Sequence, residues 1–400
     1  MKHRIFYPVV ILALWAMLEL LSWLGISALT RFRDIRYEPL STTAISDDHR
    51  RILERLLAGT NTYTDYSATL GWTIKPGGAA PPLYRANAQG IRADREYTSV
   101  PTRGAVRIAA FGDSFTHGDG VVNAEVWTEV LTRTKPGVEV LNFGVGGFGL
   151  DQAFLRYRRE GRAFRPHLVL IGFMTENIKR SVNVYRPYYQ PRTQQPLSKP
   201  RFALHQGQLS LLENPIGPLS GYRALLTDPA PVLRQLGEHD YYYQRQSHSS
   251  RWDILPSVRL VKLTLDQVRQ RGDAVIYDGQ YNTATEAFAV TVATFDAFVA
   301  EVQADGAQPL ILVFPNAADL QRQANRSPRL YQALLDHFDT RKYPYVDLLG
   351  AFDTCRSDCS IKSLVPGHYS AGANRMVAEY LAGYLERHRL LTRESYPTAP

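Results

Sequence analysis

The texture of the chain changes three times. From Phe6 to Leu29 it is almost entirely apolar, FYPVVILALWAMLELLSWLGISAL. At about 1.5 Å rise per residue, such a run crosses a hydrocarbon layer about 30 Å thick. A polar segment follows over 31–104, with a helix predicted near HRRILERLLAG and breaks in the Gly- and Pro-rich IKPGGAAPP. From Val106 short apolar runs alternate with amphipathic stretches. Strands are predicted at VRIAAF (106–111), VEVLNFG (138–144), HLVLIGF (167–173), PLILVFP (309–315) and YPYVDLL (343–349). Helices are predicted from Glu125 to Arg133, with Asn123 as a candidate cap, through LDQAFLRYRREG, around TEAFAVTVATFDAFVAEVQADG and over 370–388. Strands alternating with helices imply βαβ units and a mostly parallel sheet. The rhythm stops between about 181 and 256, where Pro, Tyr, Gln and Arg dominate. That stretch is too long for a simple connection and reads as an insertion that covers or borders the active face.

Composition narrows the class. Four hundred residues suit one enlarged α/β domain with attachments, and 44% hydrophobic residues supply a substantial core. With 21% charged residues, global disorder is excluded. The net charge of +8 is dispersed, and the chain carries no zinc-finger, RRM or helix-turn-helix pattern, so no nucleic-acid partner is expected. Residues 1–30 read as an uncleaved signal anchor, placing the bulk of the chain outside the cytoplasm. Arginines flank both ends of the apolar run, so the positive-inside rule does not orient it. Glu19 is the run's one ionisable residue, which marks either a helix contact or a shallower span. Cys355 and Cys359, in DTCRSDC, lack the further ligands a metal site needs; they form a small disulfide or remain free thiols.

Ligands of an open parallel sheet bind beyond the carboxyl ends of its strands. Four sequence features fall there. FGDSFTHGDG (111–120) puts Ser114 in the turn after the first strand. NFGVGGFG (142–149) follows the second, and its glycines let the backbone approach a bound group. TEN (175–177) follows the third with an amide side chain, and GHYSAGAN (367–374) brings His368 to the start of the last helix. A hydroxyl, a base and oxyanion donors are what acyl transfer requires. His117 is expected to line the same pocket.

In this order, FGDSF, NFGVGG, TEN and GHYSAGAN resemble the four blocks of the SGNH (GDSL) hydrolases, over roughly 106–180 and 305–390. LGWTIKPG and YRANAQGIRADREY, before the first block, resemble a region of membrane-anchored bacterial members. The resemblance implies a three-layer α/β/α, flavodoxin-like domain with five parallel strands over 105–390, an extension over 31–104 and a tail over 391–400. It implies Ser114 as nucleophile and His368 as general base. The Ser114 N–H, the Gly147 N–H (or that of adjacent Gly146) and the Asn177 amide would form the oxyanion hole, with no metal or cofactor. Two departures stand out. The family's aspartate before the histidine is replaced by Val365 and Pro366, so either a backbone carbonyl orients His368 in a dyad or an acid arrives from elsewhere. Asp347, Asp353 and Asp358 are the nearest candidates, and Asp113 is expected to hold the turn. Glu176 stands where glycine is usual, and it either points away from the pocket or contacts His368. The expected activity is hydrolysis of acyl esters, acetyl esters included, on an envelope or extracellular glycan or a small ester. The alternatives are O-acyl transfer to a polysaccharide and a non-catalytic glycan-binding role.

Overall fold

The computed structural model describes residues 2–353, 360–392 and 396. Cys355, Cys359 and Asp358 lie outside the described residues. In chain order the elements used below begin with α1 (Lys2–Arg33), α2 (Asp47–Leu57), β1 (Val106–Phe111), α3 (Ser114–His117), α4 (Trp127–Thr134), β2 (Val138–Asn142), α5 (Leu150–Arg159) and β3 (Leu168–Met174). They continue with α6 (Pro256–Asp273), α7 (Glu286–Ala304), β4 (Gln308–Phe314), α8 (Gln332–Arg341), β5 (Tyr345–Asp347) and α9 (Ala371–Arg387).

The five strands form one parallel sheet in the order β2-β1-β3-β4-β5, the flavodoxin-like arrangement. Residues of β1, β3 and β4 are buried on both faces, which is why each reads as a continuous apolar run rather than an alternating one. Successive side chains point to opposite faces. Ala109, Phe111, Ile171 and Val313 therefore pack with α5, α7 and α8. Ile108, Ala110, Leu170 and Leu312 pack with α4 and α9. Chain direction changes sides between β1 and β3, so the loop after β1, which carries Ser114, sits at the topological switch point.

The extension and the insertion build a core of their own. Leu53, Trp72 and Ile74 from the extension pack with Tyr185, Tyr222 and Leu233 from the insertion, and with Val145 and Phe148 of the sheet domain. The predicted helix in the extension forms as α2, where Ser46 Oγ accepts the His49 N–H at 3.2 Å. The insertion is ordered, with a hairpin pairing Arg201–His205 with Gln208–Leu212. The sheet frame resumes only at α7, later than the predicted boundary near 256, because α6 intervenes.

Helix α1 is long and apolar enough to cross a membrane, and little of it is buried in the protein. Helix α7 passes the same length and hydropathy test, but it is a core helix with Val290, Phe295 and Phe298 enclosed. Glu19 makes a helix contact, accepting the Ser257 N–H at 2.9 Å and the Ser257 hydroxyl at 2.6 Å where α6 packs on α1. One local prediction is corrected. Asn123 does not cap α4, because its amide and carbonyl are taken by Arg85, Asp94 and Arg92. The Trp127 N–H is capped instead by Asn374 Oδ1, at 3.1 Å.

Candidate active site

Asp113 sets the local geometry of the turn that carries Ser114. Its Oδ1 accepts the Phe115 N–H at 2.9 Å and so caps α3, while its Oδ2 accepts from Asn177 Nδ2 at 3.0 Å and Arg180 Nη1 at 3.3 Å. The carboxylate thus holds the turn, as expected, through three accepted hydrogen bonds. Ser114 is the first residue of α3, and its side chain borders a cavity of about 800 Å³. Gly146, Gly147 and His368 border the same cavity.

The two glycines are fixed by their carbonyls. Trp72 Nε1 donates to the Gly146 oxygen at 2.9 Å, and Arg186 Nη2 donates to the Gly147 oxygen. In a trans peptide the N–H points opposite to the carbonyl. The Gly147 N–H therefore faces away from Trp72, which does not border the cavity, and among the described residues it has no acceptor. The Gly146 N–H likewise has no acceptor among the described residues, and both glycines border the cavity. Gly147 has φ of +84°, a conformation that side-chain-bearing residues rarely adopt. Gly144 is required by proximity, since a Cβ there would lie 2.3 Å from the His117 nitrogen.

Asn177 stands behind Ser114 and does not border the cavity. Its amide donates to the Asp113 carboxylate, and among the described residues it has no second acceptor. Glu176 does border the cavity but turns to Lys179, at 2.6 Å. Burial would raise its proton affinity, yet the Lys179 hydrogen bond and charge hold it below the usual carboxylate range. It makes no hydrogen bond with His368.

His368 is half-buried, with its ring against Phe115 at 5.3 Å between centroids. Tyr369 beside it is fixed by a 2.7 Å hydrogen bond to the Pro315 carbonyl. None of the testable expected acids reaches it. Asp347 accepts from the Tyr331 hydroxyl and the Leu349 N–H, both at 3.0 Å, and pairs with Arg329 at 3.3 Å. Asp353 accepts from Gln323 Nε2 at 2.5 Å. The expected carbonyl contact is also missing among the described residues. The acid at this wall of the cavity is Asp119, five residues after Ser114 in the same FGDSFTHGDG stretch and not among the acids expected. Burial raises its proton affinity, but His117 and then His368 outweigh that and hold it below the usual range. Its neighbour Gly120 brings the backbone close, since a Cβ there would lie 3.9 Å from His368 Cβ.

His117 does not line the cavity as expected. It is buried behind Asp119, with Nδ1 at 2.5 Å from Asp119 Oδ1 and Nε2 at 2.6 Å from the Tyr63 hydroxyl. Burial pushes its proton affinity down more strongly than Asp119 raises it. The neutral ring then donates from Nδ1 to Asp119 and accepts the Tyr63 proton at Nε2.

The extension also clamps this loop, through residues whose role the sequence reading did not assign. Arg92 donates to the carbonyls of His117 and Gly118 at 2.6 Å each and of Val121 at 2.5 Å. The Tyr84 hydroxyl accepts the Gly120 N–H at 2.9 Å. Trp72, Tyr84 and Arg92 all lie in the two stretches noted before the first block, which was the available signal.

No family model matches the chain, and no curated protein matches it. Among solved structures it is similar to a lipolytic protein of the G-D-S-L family from Desulfitobacterium hafniense, at 12% identity and TM-score 0.34 over 70% of this chain and 98% of that one. It is similar to a lipase/acylhydrolase from Enterococcus faecalis, at 13% identity and TM-score 0.36 over 71% and 96%. A catalytic mutant of an acetylxylan esterase from Geobacillus stearothermophilus matches at 14% identity and TM-score 0.33 over 71% and 94%.

Proposed function

We propose that the chain is a serine esterase of the SGNH type, held at the membrane by α1 and acting on acyl esters of an extracytoplasmic glycan. One observation carries this reading: Ser114, His368 and Gly147 border one cavity, and among the described residues the Gly147 N–H has no acceptor. Ser114 Oγ attacks the ester carbonyl as His368 takes its proton. The carbonyl oxygen becomes an oxyanion facing the N–H groups of Ser114 and Gly147, while Asn177, which does not border the cavity, holds Asp113 in the turn. Collapse expels the alcohol, which leaves with the proton from His368. Water then attacks the acyl-enzyme by the same route and releases the acid. Each well-placed oxyanion donor contributes roughly 3–4 kcal/mol to such a barrier. Asp119 stabilises the imidazolium that forms on His368, a positioning role filled from the nucleophile's own loop.

The test uses the full chain in a non-ionic detergent with p-nitrophenyl acetate. Hydrolysis by the native protein and its loss in Ser114→Ala are expected; equal rates in the two proteins would end the assignment. Transfer to a glycan hydroxyl would use the same acyl-enzyme, and mass spectrometry of acceptor sugars separates the two outcomes. Covalent labelling of Ser114 by a fluorophosphonate would contradict a non-catalytic role.

A further inference from the structure

The mechanism leaves one side of the cavity unassigned. Arg180, Arg186 and Arg192 border it there. Most of the other charges around the cavity are already engaged. Arg180 pairs with Asp113 at 3.3 Å, Glu176 with Lys179 at 2.6 Å, and Asp119 with His117 at 2.5 Å. Arg186 differs. It is only 8% exposed, its Nε is enclosed without a partner, and its Nη2 spends a hydrogen on the neutral Gly147 carbonyl. Among the described residues no carboxylate lies within ion-pair distance of it, and the same holds for the exposed Arg192. Leaving a guanidinium buried and uncompensated is costly, and burial followed by the nearby Arg180 charge lowers the proton affinity of Arg186 to about 10. The site is also placed to matter. A Cβ on Gly147 would lie 3.1 and 3.4 Å from the two Nη atoms, so the charge stands against the residue proposed as oxyanion donor.

We propose that Arg186 and Arg192 form an anion subsite beside the oxyanion hole, which binds an anionic oxygen group on the alcohol portion of the ester. Resting on the esterase reading above, this makes the substrate an O-acylated acidic glycan rather than a neutral one. A planar guanidinium recognises carboxylate and phosphate alike, so an acidic sugar can satisfy it through a uronate carboxylate or a phosphate substituent.

A matched set of esters tests this with the full chain in non-ionic detergent. The set is acetylated methyl glucoside, the same acetyl ester of methyl glucuronoside, and the acetylated glucoside 6-phosphate, with p-nitrophenyl acetate as the reference. We expect kcat/KM for at least one anionic ester to exceed that of the neutral one by about tenfold or more, the scale of one charge-assisted hydrogen bond. The arm that gains identifies the anion. Raising salt from about 20 to about 500 mM is expected to shrink the ratio. Arg192→Gln, at an exposed position, is expected to lower the ratio severalfold, and Arg186→Gln to lower it further. If p-nitrophenyl acetate is hydrolysed but neither anionic ester beats the neutral one, the subsite is overturned and the esterase reading stands. A preference that survives both arginine variants overturns the assignment to these residues. Hydrolysis of none of the esters, the reference included, overturns the underlying reading itself.

Discussion

Two histidines flank Asp119, and they are held in opposite ways. In the loop after β1, His117 is enclosed with both ring nitrogens engaged, one by Asp119 and one by Tyr63. In the loop before α9, His368 has its ring against Phe115 and no hydrogen bond among the described residues. A base must exchange its proton within each turnover, and a ring whose two nitrogens are already paired is poorly suited to that. His368 keeps its nitrogens available at the cavity wall. The difference teaches that proximity to the nucleophile in sequence is a poor guide to role. His117 lies three residues from Ser114, and His368 lies more than two hundred away.

Replacing each histidine breaks or sharpens this comparison. His368→Ala is expected to lower kcat/KM for p-nitrophenyl acetate by about 10⁴-fold or more, the scale of a lost triad member. His117→Gln is expected to cost less than about tenfold, because the ring acts at one remove from the substrate. Equal losses in the two variants would erase the distinction drawn here.

Asp119 joins the two loops and gives the next largest effect. Asp119→Asn keeps the shape but removes the charge, and kcat is expected to fall about 10²-fold with KM little changed. Tyr63→Phe disturbs the same network from the far side of His117 and is expected to change kcat by less than about threefold. A parallel loss in both variants would make Asp119 a support for the loop and nothing more. Where Asp119→Glu recovers part of the rate, the charge rather than the packing is responsible.

Much of the frame was legible in the sequence because it is written in short-range patterns. The runs at 106–111, 168–174 and 308–314 are buried on both faces, and burial on both faces produces continuous apolar strands. Ser114, Gly147 and His368 were named from their motifs, and they do meet at one cavity. What was missed depends on contacts across the fold. The acid was sought at Asp347, Asp353 and Asp358, all before His368 in the same part of the chain, whereas Asp119 comes from a loop some 250 positions earlier. Arg92 and Tyr84 act on backbone groups of a distant loop, and side-chain-to-backbone contacts leave no periodic trace. The insertion was expected to cover or border the active face, but Arg186 was not singled out within it, because nothing local in the sequence shows that Trp72 of the extension packs against it.

The smallest expected effect concerns stability and separates the buried histidine from ordinary ones. Burial lowers the proton affinity of His117 below the usual value of about 6.5, with Arg92 and Arg156 adding to that and Asp119 opposing it. The folded pKa is thus below the unfolded one, so between the two the unfolded chain binds a proton that the folded chain refuses. Stability therefore rises with pH through that window, and the contribution of neutral His117 is complete above about 6.5. As the pH falls below 6.5 this contribution is lost, at no more than about 1.4 kcal/mol per pH unit for a single proton. His117→Gln cannot titrate. The gap in Tm between the native protein and the variant is accordingly expected to be widest above pH 6.5 and to narrow steadily on acidification. Thermal unfolding followed by circular dichroism between about pH 7.5 and 5 measures it. A gap that stays constant over that range would mean that His117 takes up its proton as readily when folded as when unfolded, and the contrast between the two histidines would then rest on hydrogen bonds alone.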